Sequence, residues 1–345
     1  MSKIEKLARL TTERNLALEV VRLTEAAAIA SFPYIGKGDK YKADKAATEA
    51  MRNSFSKIYI SGTVVIGEGE LDKAPMLYNG EKVGRWGDDD PKVDIAVDPL
   101  EGTKLCSKNR PNAITCMALT DGKFLQAPDM YMNKIVVGKE ASGVIDIEAP
   151  VKDNLIKIAK AYGKDLKELN IILLERIRNE YIVEAARELD CKVTFISDGD
   201  ISASLYAILD DSPMDVYMGI GGAPEGVITS AAVKSVEGDM QAKLAFDFSE
   251  GNKAEINLEE LKRRASEMGI KDFEKIYSLE DLVKGNTFFA ASGVTDGELL
   301  RGVRETESGY KLESLVMRSR TGTIRWLSSE YNSNKKIDYL NILEN

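Results

Sequence analysis

The chain has 345 residues, enough for one large domain or two fused halves, and its 43% hydrophobic and 30% charged residues match a folded globular protein. A net charge of −9 at pH 7 offers no basic stripe to a nucleic acid or an anionic membrane. Histidine is absent, which excludes Ser-His-Asp triads, Cys-His pairs, phosphohistidine chemistry and His-ligated zinc together. Any catalysis has to run on carboxylates, hydroxyls, lysine, arginine and bound metal.

Met1 to Arg14 is broken by charges and lacks the apolar core of a signal peptide. No run approaches the roughly 18 apolar residues of a membrane span. Leu18, Val21, Leu23, Ala27 and Ile29 recur at helical spacing and predict a helix over 15–31. A Gly-Lys-Gly-Asp-Lys turn at 36–40 follows, then a helix over 43–55 with Ala47, Met51 and Phe55 on one face. Strands are predicted at 62–66, 93–97 and 112–119, another near 133–138, and a helix at 151–162. Regular alternation begins near 168: strand 170–174, helix 178–189, strand 192–196, helix 202–209, strand 215–218, helix 225–235 and strand 240–245. That pattern predicts a layered α/β half with mainly parallel pairing. A charged helix at 257–268 and strands near 286–291, 312–318 and 322–327 complete the chain. Two halves, 1–165 and 166–345, are expected to share a sheet or pack tightly, since no linker is visible. Cys106, Cys116 and Cys191 form no C-x-x-C pair, which fits buried packing residues in a reducing cytoplasm and speaks against a cysteine zinc site.

The densest chemistry lies after the strand of Val93, Ile95 and Val97. Pro99 and Gly102 predict a sharp turn that brings Asp98, Glu101 and Thr103 to one spot. Two carboxylates and a hydroxyl there suit hard divalent cations with a phosphate between them. Three other segments rich in glycine and acid stand at predicted element ends, where α/β proteins collect their sites. Gly36 to Asp44 is one; Gly67-Glu68, continuing to Asp72, is the second; Gly219 to Gly226 is the third. The last lacks G-x-G-x-x-G spacing, and Glu225 at the helix start would repel a pyrophosphate unless a metal stood between. Asp44, Glu68, Asp98, Glu101 and Glu225 are carboxylates that one fold could gather, with magnesium or manganese as occupants. Taken singly, each feature also has an ordinary structural reading. Such turns can be solvated surface, Arg176 and Arg178 helix-start residues, Asp198-Gly199-Asp200 a turn with a cap, and Lys40 a surface lysine.

The motifs G-K-G-D-K-x-x-A-D, V-I-G-E-G-E-x-D-x-A-P-M-L-Y, V-D-I-A-V-D-P-L-E-G-T, A-P-D-M-Y-M, S-D-G-D and G-I-G-G-A-P-E-G-V-I run in order from residue 36 to 228. Together they resemble the class II fructose-1,6-bisphosphatases, a bacterial family within the lithium-sensitive sugar and inositol phosphatase fold. The similarity runs from about Asn15 to near Ser329. It implies an αβαβα layered architecture, a homo-oligomer, and two or more divalent ions per site. Asp44 and Glu68 would hold one metal, and Asp98, Glu101 and Glu225 a second. Glu101, Gly102 and Thr103 would contact the scissile phosphate. Lys40, Tyr131, Arg176, Arg178, Asp198, Gly199, Asp200 and Gly222 match substrate-binding positions. The implied reaction is in-line attack by a metal-activated water on the 1-phosphate of fructose 1,6-bisphosphate, a step of gluconeogenesis. Thr103 would position that water, with Asp72 a candidate proton acceptor. The family usually carries Pro-Arg-His where this chain has Ile177-Arg178-Asn179, which bears on the choice among sugar bisphosphates. Sedoheptulose 1,7-bisphosphate is the alternative substrate, and a non-catalytic sugar-phosphate sensor the alternative of another class.

Overall fold

The computed structural model describes residues 3–68, 76–246 and 258–333, with side chains from residue 16 onward. From the amino end, α1 (Lys3–Ser31) and α2 (Lys40–Phe55) precede β1 (Ser61–Ile66), β2 (Lys82–Val83) and β3 (Lys92–Glu101). The short α3 (Thr103–Ser107) leads to β4 (Ile114–Thr120), β5 (Tyr131–Val137) and α4 (Val151–Tyr162). Then β6 (Asn170–Leu174), α5 (Glu180–Glu188), β7 (Lys192–Ile196), α6 (Asp200–Ile208), β8 (Val216–Gly222), α7 (Ala223–Ser235) and β9 (Asp239–Ala245) alternate. After α8 (Leu258–Glu267), β10 (Ile276–Ser278) and α9 (Leu279–Leu282) come β11 (Thr287–Gly293), β12 (Arg304–Thr306), β13 (Gly309–Arg318) and β14 (Thr323–Asn332).

Contacts divide the chain into two compact units, residues 1–123 with 285–345, and residues 124–284. The 165/166 position falls inside the second unit. In the first unit the strand order is β12-β13-β11-β4-β3-β1-β2, with β14 on β13. Among the described residues only β1 and β3 pair in parallel there. Both long helices cover this sheet. Leu16, Val20, Leu23 and Ala27 recur on one face of α1, and Ala43, Ala47 and Met51 on one face of α2; all are buried against strand residues such as Val64, Ile95, Met117 and Val316. Hydroxyls join α1 to the strands. Thr24 Oγ1 lies 2.7 Å from Ser292 Oγ, and Ser314 Oγ donates to the buried Glu25 carboxylate at 3.0 Å. The Tyr331 hydroxyl also donates to Glu25.

In the second unit the order is β10-β9-β5-β8-β6-β7. Ile135, Val137, Ile171, Leu173, Val216 and Met218 face Leu155, Ile158, Ile182 and Ala186 of α4 and α5. Helices α6 and α7 pack on the sheet as well, against β8 and β5. Helix and sheet layers thus alternate within each unit, the layered α/β class that the sequence predicts.

Two expectations are corrected. Pairing in the second sheet is mixed: only β7, β6 and β8 run parallel neighbour to neighbour. The α7 crossover does leave β8 and β9 pointing the same way, but β5 inserts between them and pairs antiparallel with both. Strands β11 to β14 return to the sheet built by β1 to β4, so residues from before and after position 165 contribute to one sheet. Helix α1 begins at Lys3 rather than Asn15, since no glycine or proline interrupts 3–31. Among the described residues no helix is long and apolar enough to cross a membrane.

Candidate active site

In the first unit the predicted turn at Pro99 is a continuation of β3. The strand runs to Glu101, and only Gly102, at φ +79°, reverses the backbone. Along a regular strand, residues three apart face opposite sides. Here Asp98 pairs with Cys116 and Glu101 with Ile114, so β3 carries one extra residue as a bulge. The bulge turns both carboxylates to the same side, and a ligand oxygen of Asp98 lies within 4.8 Å of one of Glu101. Asp98 Oδ1 also accepts the Leu100 N–H at 3.1 Å, wrapping its carboxylate around Pro99, which has no N–H to satisfy. Glu101 is buried, and Thr103 opens α3 directly after Gly102.

Lys40 and Asp44 lie one turn apart on α2, which Asp39 caps by accepting the Lys42 N–H at 3.1 Å. The loop before the cap is fastened to the end of α3. Gly36 N–H donates to Cys106 O at 3.0 Å and Gly38 N–H to Ser107 O at 2.9 Å. Burial pushes the Asp44 carboxyl up to about 6, with Lys40 opposing. Glu68 follows β1 where the chain runs against Leu77, its N–H donating to Leu77 O at 2.8 Å. A Cβ on Gly67 would stand 1.9 Å from that same Leu77 oxygen, so glycine is required there for Glu68 to be placed. Asp72 lies outside the described residues. The cysteines are buried, and burial pushes the Cys106 thiol up to about 11, as suits packing residues.

In the second unit the glycine run at the end of β8 makes room for buried charge. A Cβ on Gly221 would stand 1.9 Å from Asp200 Oδ2, one on Gly222 1.7 Å from Glu225 Oε2, and one on Gly226 3.0 Å from Lys134 Cδ. Asp200, at the first turn of α6, is 5% exposed and paired with Lys134, 1% exposed, at 2.5 Å. Lys134 Nζ also donates to Gly222 O at 2.8 Å, and the Tyr217 hydroxyl donates to Asp200 Oδ2 at 3.4 Å. Glu225 stands in the first turn of α7. Burial chiefly, then the Asp200 charge, pushes its carboxyl up to about 7, with Lys134 opposing. Its Oε2 is buried and has no hydrogen-bond partner among the described residues. A buried carboxylate oxygen left open in this way fits a hard cation.

Arg178 and Tyr131 meet: the guanidinium carbon sits 4.3 Å from the ring centroid, and Arg178 Nε donates to Ile220 O at 2.9 Å. Arg176 donates to Glu175 O at 2.8 Å and to Ser197 O at 2.7 Å, which ties it to the turn before Asp198. Gly199 takes φ +89° between Asp198 and Asp200. Asn179 is fully buried; its Nδ2 donates to Leu174 O at 3.0 Å, and its Oδ1 accepts the Ile220 N–H at 2.8 Å. Sequence reasoning missed Lys134 and Tyr217. The signal for Lys134 was available, a lysine alone among Ile135, Val136 and Val137 in an apolar strand.

The model of the family "Bacterial fructose-1,6-bisphosphatase, glpX-encoded" matches residues 14–331. Escherichia coli K12 fructose-1,6-bisphosphatase 1 class 2 is 43% identical over 329 residues, covering 94% of this chain and 97% of that protein. Fructose-1,6-bisphosphatase 2 class 2 of the same strain is 45% identical over 309 residues, covering 88% of this chain and 95% of that protein. A Shigella flexneri fructose-1,6-bisphosphatase class 2 is 43% identical over 329 residues, with 94% of this chain and 97% of that protein covered. With motifs in family order and a match over nearly its whole length, this chain belongs to the bacterial glpX-encoded fructose-1,6-bisphosphatase family.

Proposed function

We propose that the chain hydrolyses the 1-phosphate of fructose 1,6-bisphosphate, releasing fructose 6-phosphate and phosphate in gluconeogenesis, with manganese or magnesium as cofactor. The family match supports the reaction. The observation that carries the site is the bulge in β3, which turns Asp98 and Glu101 to one side of the strand in a chain of this family.

Asp44 and Glu68 would hold one ion, and Asp98, Glu101 and Glu225 a second. The open Glu225 oxygen supports that donor set. Bound divalent cations would supply Lewis acidity to the phosphate oxygens and an activated water. Glu101, Gly102 and Thr103 bind the scissile phosphate, Thr103 orients the attacking water, and Asp72 accepts its proton. Lys40, Arg176, Arg178 and Tyr131 bind the phosphate that stays and the sugar that carries it. Asp198, Gly199, Asp200 and Gly222 complete the substrate contacts.

The test is phosphate release from fructose 1,6-bisphosphate, sedoheptulose 1,7-bisphosphate and inositol monophosphate, with manganese, magnesium or a chelator. Metal-dependent turnover led by fructose 1,6-bisphosphate is expected. A lead for the seven-carbon sugar would move the assignment to that substrate, and binding without turnover would make the chain a sensor.

A further inference from the structure

We infer that Lys134 is a positioning residue for this phosphatase: its ammonium clamps the first turn of α6 to the start of α7 and so fixes Glu225 for its cation. The inference rests on the reading of Glu225 as a metal ligand. Lys134 rises from the middle of β5, only 1% exposed, and is too deep to meet solvent or to serve as a surface charge. Its Nζ makes two contacts on two different elements. One is Asp200 Oδ2 at 2.5 Å, at the start of α6; the other is Gly222 O at 2.8 Å, the residue that caps α7.

Gly222 precedes Glu225 by three residues, one helical turn, so holding the Gly222 carbonyl fixes where the Glu225 side chain begins. The surroundings are cut to this arrangement. A side chain at Gly221 would collide with Asp200, one at Gly226 would press on Met132 and the Lys134 stem, and the Tyr217 ring lies 5.8 Å from the lysine nitrogen on a fully buried side chain. The second acceptor belongs to the cap of α7 itself, so the ammonium that balances Asp200 also ties down the start of that helix. Gly222 and Asp200 are both positions that the family resemblance gives to substrate, and Glu225 one that it gives to metal. A single cation therefore holds all three in register, as supporting groups commonly orient metal ligands.

The experiment is direct titration of Mn2+ into the metal-free full-length protein, reading free Mn2+ by electron paramagnetic resonance. It is run on wild type, Lys134→Met, Lys134→Met with Asp200→Asn, and Glu225→Gln. The double variant removes the buried charge that Lys134→Met alone would leave unpaired at position 200, so it provides a folded test if the single variant does not fold. Expected is Mn2+ affinity weakened roughly 10- to 100-fold in the lysine variants, with cooperative thermal unfolding retained in the double variant. Wild-type affinity in the double variant, with Glu225→Gln weakened, would overturn the clamp and leave the metal reading standing. Wild-type affinity in Glu225→Gln would remove Glu225 as a ligand, and the clamp with it.

Discussion

At Asn179 the side chain serves the backbone. Both ends of its amide are taken, by Leu174 O and by the Ile220 N–H, so the residue stitches the end of β6 to β8. Asn179 thus sits inside the scaffold that carries Arg178. Asn179→Ala is expected to lower stability by about 1–3 kcal/mol for each backbone group left unpaired, measured by urea unfolding. Exposed Ile177, next to it, is 79% accessible and fixes nothing by packing. Glu225 gives a pH signature. Its folded carboxyl is raised from 4.5 to about 7 and that of Asp44 from 3.8 to about 6, so the folded metal-free protein holds protons that the unfolded chain releases. The stability this contributes is full below the ordinary carboxylate range and is lost as pH rises through about 6 to 7. The melting temperature of metal-free protein should fall over that window, and more gently in Glu225→Gln. Mn2+ affinity should rise over the same window as protons cease to compete.

Among the elements, the bulge of β3 and the glycine run of β8 do most to place chemistry. Gly67→Ala sets a methyl against Leu77 O and should shift Glu68, weakening Mn2+ binding. Gly221→Ala sets one against Asp200 and should cost about 1–3 kcal/mol in thermal unfolding. Much of this level was legible in the sequence. The strands at 170–174 and 192–196 and the helix at 151–162 match to the residue, because apolar periodicity and flanking turn residues agree there. The convergence of Asp98 and Glu101 was also legible, but its cause was not. A bulge depends on which partner residues β4 presents, and no local pattern encodes that. The glycines at 219–226 were legible as a special segment, yet their role depends on Asp200 and Lys134, far away in sequence. Mixed pairing in the second sheet was hidden for the same reason, since β5 enters between β8 and β9 from earlier in the chain.

Across the whole molecule, the first unit is built from both ends of the chain. β11 binds β4 over Thr287–Gly293 and bears β13 on its other side. A chain ended at Lys284 would expose the edge of β4 and leave the α1 hydroxyl network without Ser292, Ser314 and Tyr331. Such a chain should aggregate, as sedimentation would register. Bound metal should act in the opposite direction, raising stability by about 2.7 kcal/mol at 100 times its dissociation constant. The proposed hydrolysis of fructose 1,6-bisphosphate depends on this carboxylate set and on divalent metal. It is tested most directly by the initial rate of phosphate release from wild type and Asp98→Asn, each with manganese and with chelator. Turnover by wild type is expected only with metal, with a rate roughly a hundredfold or more lower in Asp98→Asn, the scale seen when one electrostatic stabiliser is removed. Turnover that survives the chelator, or an Asp98→Asn rate equal to wild type, would contradict it.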